Sequence, residues 1–294
     1  TMMKKNKYSD ALSVSVVMVL VALDLIVWRQ VLFFSPKINP QLDFLDVGQG
    51  DSTLLTFPGG TQILTDAGPS RKIISSLEKI IGGDRYIDLA IISHPQLDHY
   101  NGFNYLLRNY RFGAFLWNGI EVENEEWKIL KSKIAEKKIL LIIIGEGNGI
   151  RYGENKIEII SPNKPYLQSA ELNDTGIVEY IRTPKFNALL TADIDIDVEN
   201  YLINRFDIRA DILKIGHHGS KYSTGEAFLM AVSPKIAVIQ SGAGNRYGHP
   251  TKDILNRLEL TNIAIFRNDK SGSISILGDD NKLKIFTERQ LDSL

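Results

Sequence analysis

From residue 42 onward, apolar runs of about four to seven residues recur between turn residues, the spacing expected of β-strands. They cover 42–47, 52–57, 61–66, 88–93, 113–117, 139–144, 157–161, 176–182, 188–192, 211–215, 235–240, 263–266, 273–277 and 283–287. Pro58-Gly59-Gly60, between the second and third, reads as a hairpin turn. Helical periodicity falls between the runs. Residues 70–81 carry Ile73, Ile74, Leu77, Ile80 and Ile81 at helical spacing, and 124–137, 195–206, 224–232 and 251–260 follow the same rule. This alternation predicts two mixed sheets packed together with helices outside, a single α/β sandwich.

The first 40 residues follow another pattern. Lys4, Lys5 and Lys7 precede an apolar run from Ala11 to Phe34, interrupted by the charged Asp24 and Arg29. Roughly 24 helical residues span ~36 Å, enough to cross a hydrocarbon core of ~30 Å. A secretory signal would have a shorter apolar region and a small-residue cleavage site. The run instead ends in Trp28, Arg29 and bulky residues, which predicts an uncleaved anchor. A mid-bilayer Asp24 would cost roughly 2.5–3.5 kcal/mol, so it is expected near the interface or reaching Arg29, with a polar partner in the membrane as the sharper alternative. The three lysines place the N-terminus in the cytoplasm and residues 41–294 outside, a single-pass protein of the cytoplasmic membrane. One span cannot form a conduit, so any transport role requires a separate channel protein.

Charge and composition narrow the chemistry. Residues 1–40 carry five basic and two acidic side chains, leaving the outer segment 29 basic and 33 acidic. That balance argues against non-specific coating of nucleic acid, although a locally basic groove is compatible with it. The chain has no cysteine, which excludes disulfides, thiol nucleophiles and thiolate metal sites. Any metal centre must use histidine, carboxylate and amide groups.

All five histidines fall in three stretches that follow strand-like runs: His94 with His99, His217 with His218, and His249. Asp66 and Asp193 close two further runs. If these strands share one sandwich, their ends gather imidazoles and carboxylates at one edge, a donor set suited to Zn²⁺ or Mn²⁺. Ser93-His94-Pro95-Gln96-Leu97-Asp98-His99 reads as a tight loop that points His94, Gln96, Asp98 and His99 inward at two adjacent cations. His218 cannot face the same way as His217 if the strand continues, and is expected to pack behind it.

The segment from His94 to His99 resembles the His-x-His-x-Asp-His signature of the metallo-β-lactamase superfamily, with Gln96 in place of the second histidine. Leu45-Asp-Val-Gly-Gln-Gly-Asp-Ser52, Ile63-Leu-Thr-Asp-Ala-Gly68, Leu189-Leu-Thr-Ala-Asp193, His217-His-Gly-Ser220 and Asn245-Arg-Tyr-Gly-His-Pro250 resemble the extracellular domain of ComEC-type competence DNA-channel proteins. The likeness spans residues 41–287 and implies an αββα four-layer sandwich over 41–294. It also implies two divalent ions. Asp98, His99 and His217 would hold one, His94 with Gln96 or Asn173/Asp174 the other, and Asp193 would bridge them. Gln96 is a neutral, weaker ligand, which predicts a weak second site.

The function implied is a membrane-anchored phosphodiesterase or nuclease acting on DNA outside the membrane. Hydrolysis of a small diester or ester, or a non-catalytic single-metal module, are the alternatives. Asp66 would either accept a hydrogen bond from the attacking water or orient a histidine. His249 would protonate the leaving alkoxide, bind phosphate or replace His217. Asp46, Gly48, Gln49, Gly50 and Asp51 could form an anion nest, with the two aspartates as turn residues in the competing reading. Asn173, Ser220 and Lys221 complete the expected substrate contacts.

Overall fold

The computed structural model describes residues 7–33, 39–279 and 282–289. The chain divides into two compact units, Thr1–Ile38 and Asn39–Leu294. The first contains one helix, α1 (Lys7–Phe33). Its stretch Leu12–Arg29 has a mean hydropathy of 2.1, long and apolar enough to cross a membrane. The side chains of residues 12–29 are exposed all round. Lys4, Lys5 and Phe34 lie outside the described residues.

In the second unit the first sheet is laid down by β1 (Gln41–Phe44), β2 (Thr53–Thr56), β3 (Gln62–Thr65), β4 (Tyr86–Ile92), β5 (Arg111–Trp117) and β6 (Leu140–Ile143). The second is β7 (Gly149–Tyr152), β8 (Asn155–Ser161), β9 (Val178–Arg182), β10 (Asn187–Leu190), β11 (Ile212–Lys214), β12 (Ile236–Ile239) and β13 (Ala264–Arg267). The chain then returns to the first with β14 (Ile274–Asp279) and β15 (Lys282–Thr287), giving eight strands in the order β15-β14-β1-β2-β3-β4-β5-β6. The seven-stranded sheet runs β13-β12-β11-β10-β9-β8-β7. Helices α2 (Lys72–Ile81), α3 (Leu97–Leu106) and α4 (Glu125–Glu136) follow strands of the first sheet; α5 (Ile196–Arg205), α6 (Glu226–Val232) and α7 (Lys252–Glu259) follow strands of the second.

Three apolar clusters fill the layers. Leu42, Phe44, Leu55, Ile63, Ile91, Ile181, Ile212 and Val238 pack between the sheets. Ile87, Ala90 and Ile92 of β4 face outward against Ile73, Leu77, Phe103 and Leu130 of the first helical layer. Leu213, Ala237 and Ile239 face Val198, Leu202, Phe228 and Ile254 of the second. Period-two alternation therefore sends successive residues of one strand into different cores, so the runs read as continuously apolar. The arrangement is the αββα sandwich expected from the sequence.

The loop expected at His94–His99 is a turn that becomes α3 after Gln96. β7 was not anticipated. Its Gly-Ile-Arg-Tyr is short and mostly exposed, and supplies no apolar run to detect.

Candidate metal centre

Parallel pairing of β3 with β4 and of β10, β11 and β12 sends the C-terminal ends of these strands to a common edge. Asp66 leaves β3, His94 leaves β4, Asp193 follows β10, His217 and His218 follow β11, and Gln240 follows β12. This is where open α/β sheets bind ligands, because loops rather than strands finish each element there.

α3 is stitched to the edge by backbone. Ala67 N–H donates to the His99 carbonyl at 2.7 Å, Gly102 N–H to Gly68 at 2.7 Å, and Asp51 N–H to Asp98 at 3.2 Å. A Cβ on Gly102 would lie 1.9 Å from the Ala67 carbonyl oxygen, and one on Gly50 2.3 Å from that of Asp98. Only glycine allows these approaches.

Three buried imidazoles are each anchored through Nδ1. Asp66 accepts from Ser93 N–H at 2.9 Å and from the Ser93 hydroxyl at 2.6 Å, and its Oδ2 lies 2.8 Å from His99 Nδ1. His94 Nδ1 lies 3.0 Å from the Ser93 hydroxyl, and His218 Nδ1 2.9 Å from the Gln240 carbonyl. With Nδ1 taken, Nε2 of each ring is left for the interior. His99 Nε2 is 3.3 Å from Asp193 Oδ2. His218 Nε2 is 3.2 Å from both Asp193 Oδ2 and Asp98 Oδ2. His94 Nε2 is buried without a hydrogen-bond partner. Donor atoms of His94, His99 and Asp193 lie within 4.8 Å of one another, as do those of Asp98, His99 and His218.

The electrostatics follow from this crowding. Burial, reinforced by the charge of His99, pushes His94 down to about 3 and keeps it neutral. Burial also opposes charge on His99 and His218, but the carboxylates, Asp193 first, outweigh it and hold both well above the ordinary histidine range. Asp98 is held below the usual carboxylate range despite burial, chiefly by its hydrogen bond to His218. Four carboxylates, Asp51, Asp66, Asp98 and Asp193, share the cluster with one permanent cation, Lys214. The unpartnered His94 Nε2 and this excess of carboxylate fit divalent ions, which would replace the protons on His99 and His218.

The structure reverses the order of the two adjacent histidines. β11 ends at Lys214, and His217 and His218 both take positive φ, 48° and 54°, so the strand does not continue. His218 turns into the cluster. His217 is a quarter exposed, 4.0 Å from Asp193 Oδ2 and 3.6 Å from Asp195 Oδ1, with Nδ1 3.3 Å from the Asn173 amide nitrogen. Asn173 also accepts from Gln96 Nε2 at 2.5 Å, so Gln96, Asn173 and His217 form a polar wall beside the cluster. His249 is half-buried, its ring 5.7 Å from His217 and 6.5 Å from His218, with Nδ1 unpartnered.

Of the two roles open to Asp66, its hydrogen bonds favour orientation, since both oxygens are engaged by Ser93 and His99. Asp46 lies in a different network: its carboxylate accepts from Lys72 at 2.5 Å, Arg289 at 3.1 Å and Gly48 N–H at 3.2 Å. It ties the turn to α2 and the C-terminal strand. The Gly48 and Asp51 N–H groups are thus spent internally, and Gln49 Oε1 accepts from Gly242 N–H at 3.1 Å. Asp51 points into the cluster instead, 3.1 Å from His218 Nδ1. Ser220 is buried with its hydroxyl accepting from Tyr222 N–H, whereas Lys221 is exposed.

Lys214 escaped sequence reasoning. Its ammonium pairs with Asp51, lies 3.5 Å from Asp193 Oδ1 and donates to the Ala192 carbonyl at 2.7 Å. The signal was a single lysine inside Asp211-Ile-Leu-Lys-Ile-Gly, where a strand buried on both faces should be wholly apolar.

A four-layer sandwich with histidines and aspartates gathered on the loops at one sheet edge defines a class, and the chain belongs to it: the model of the metallo-β-lactamase superfamily matches residues 45–242. Within the class its relatives include a competence protein and a recombination protein. It is 30% identical over 265 residues to ComE operon protein 3 of Bacillus subtilis, covering 83% of this chain and 34% of that protein. Competence protein ComA of Neisseria gonorrhoeae is 30% identical over 250 residues, covering 81% and 32%. Recombination protein 2 of Haemophilus influenzae is 26% identical over 286 residues, covering 96% and 34%. The chain thus spans about a third of the length of these relatives. Among solved structures, the metallo-β-lactamase fold protein YhfI of Bacillus subtilis superposes with a TM-score of 0.52 at 12% identity, covering 78% of this chain and 96% of that one. The diiron β-hydroxylase CmlA of Streptomyces venezuelae gives 0.51 at 11%, covering 79% and 53%. At these identities the likeness concerns the fold.

Proposed function

We propose that this protein is a membrane-anchored, metal-dependent phosphodiesterase that cleaves DNA on the outer side of the cytoplasmic membrane. The observation that carries the reading is the convergence of three Nδ1-anchored imidazoles on Asp98 and Asp193, in a chain related to competence proteins. His94, His99 and Asp193 would hold one divalent ion, Zn²⁺ or Mn²⁺, and Asp98 and His218 with Asp193 the other. Such ions acidify water and brace the attacking and leaving oxygens of phosphorus.

The protein's own groups do the rest. Ser93, Asp66 and Gln240 fix the ring orientations. Lys214 holds Asp51 ionised against the desolvation that burial imposes, and with His218 and His99, which act more strongly, does the same for Asp193. His249, with a free Nδ1 at the edge of the cluster, donates a proton to the departing alkoxide. Gln96 supports a second reading, one tight ion rather than two, because its amide is neutral and already donates to Asn173.

The test is hydrolysis of linear DNA by the full chain with Mn²⁺ or Zn²⁺, beside Asp98→Ala and Asp193→Ala. The expected result is cleavage that both substitutions reduce at least about a hundredfold. Undiminished cleavage by the variants would remove the mechanism, and cleavage of small diesters but not of strands would change the substrate.

A further inference from the structure

Two exposed tyrosines, each paired with a basic side chain from the preceding residue, lie on loops linked to His217 beside the metal centre. Tyr222 is 61% exposed and Lys221 Nζ lies 5.0 Å from its ring centroid. Tyr247 is 55% exposed and Arg246 Cζ lies 5.0 Å from its ring centroid, with Nη2 donating to the Tyr247 hydroxyl at 2.9 Å. Several surface lysines and arginines face carboxylates, among them Lys72 with Asp46, Arg182 with Glu158 and Arg205 with Glu146. Among the described residues no carboxylate pairs with Lys221 or Arg246, so both retain free charge at the rim.

Their placement ties them to the cluster. Tyr247 stacks on His249 at 6.0 Å and 25°, and His249 lies 5.7 Å from His217. On the other side, the Tyr222 carbonyl accepts from Ile196 N–H at 3.1 Å, and the next residue, Ser223, donates to Asp195 Oδ1 at 3.3 Å, the same oxygen that faces His217. His217 is thus linked to both loops, through His249 to one and through Asp195 to the other.

We infer that Tyr222 and Tyr247 are stacking shelves for bases of a single-stranded DNA substrate, with Lys221 and Arg246 holding the adjoining phosphates. Stacked bases in a duplex cannot reach such shelves, whereas an unpaired strand offers a π-face at every nucleotide whatever its sequence. This rests on the reading of the site as one that takes DNA, and it assigns the residues that choose strand over duplex.

The experiment is fluorescence anisotropy of the full chain in detergent, with chelator present so that nothing is cleaved. The probes are a labelled thymidine 12-mer, its duplex, and a 12-mer of the same phosphates lacking bases. Wild type should bind the base-bearing strand more tightly than either other probe. Tyr222→Ala and Tyr247→Ala should each weaken that binding about 5- to 100-fold and leave the base-free strand unaffected, and Trp at either position should restore it. Lys221→Ala and Arg246→Ala should weaken both single strands and lower the salt dependence. Equal binding of strands with and without bases, or no effect of removing the tyrosines, would overturn the inference. Strong strand binding lost in the tyrosine variants, in a protein that cleaves nothing when metal is restored, would uphold the shelves while removing the proposed activity.

Discussion

His218 and His217 differ by one position and occupy different environments. His218 has Nδ1 against the Gln240 carbonyl and Nε2 3.2 Å from two carboxylates, whereas His217 is partly exposed against Asn173 and Asp195. His218→Ala should therefore lower Mn²⁺ affinity about a hundredfold or more in calorimetric titration, and His217→Ala tenfold or less. Equal losses would mean that both rings bind. The family resemblance selects His217, and the alternation rule then turns His218 away, because it assumes that β11 continues. What defeats it is a pair of positive φ angles that no side-chain pattern announces, as neither residue is glycine. Asp66, His94 and Asp193 stand out in the sequence because each ends an apolar run, and Asp98 and His99 because they fall in the polar segment that follows His94. Lys214 was equally visible as an interruption, and its meaning depends on Asp51, which lies far away in sequence.

At the level of elements, strands were read well where both faces are buried. α3 was missed because its first turn carries Asp98 and His99, and their chemistry suggests a ligand loop. Its apolar face, Tyr100, Phe103 and Leu106, recurs at helical spacing nonetheless. The close approach of this helix to residues 66–68 gives a direct test. Gly102→Ala places a methyl group where the Ala67 carbonyl stands, so either α3 or the Asp66 loop must shift. The expected outcome is a loss of roughly 1–3 kcal/mol or more in urea unfolding, with weakened metal binding because Asp98 and His99 ride on the same helix. A variant as stable as wild type would show that the approach is looser than described.

For the whole molecule, buried charge links stability to pH. Glu179, on β9 between the sheets, is buried and pushed up to about 8, chiefly by desolvation; its one hydrogen bond, from Thr65 at 2.7 Å, only partly offsets this. The folded protein keeps that proton while the unfolded chain releases it near 4.5. Stability from this group is therefore full below about pH 4.5 and is lost as pH rises toward 8, at up to ~1.4 kcal/mol per pH unit. Glu179→Gln should flatten the decline in unfolding free energy between pH 5 and 8 relative to wild type, and parallel profiles would show that Glu179 ionises freely. The other features of the molecule meet at the edge where both sheets deliver their loops. Asp193 stands at the centre of that edge, within 4.0 Å of His99, His217, His218 and Lys214. The most direct measurement is thus the divalent-ion content of the purified full chain after equilibration with Mn²⁺, for wild type and Asp193→Ala. The account predicts one to two tightly held ions in the wild type and none in the folded variant; equal retention by both proteins would contradict it.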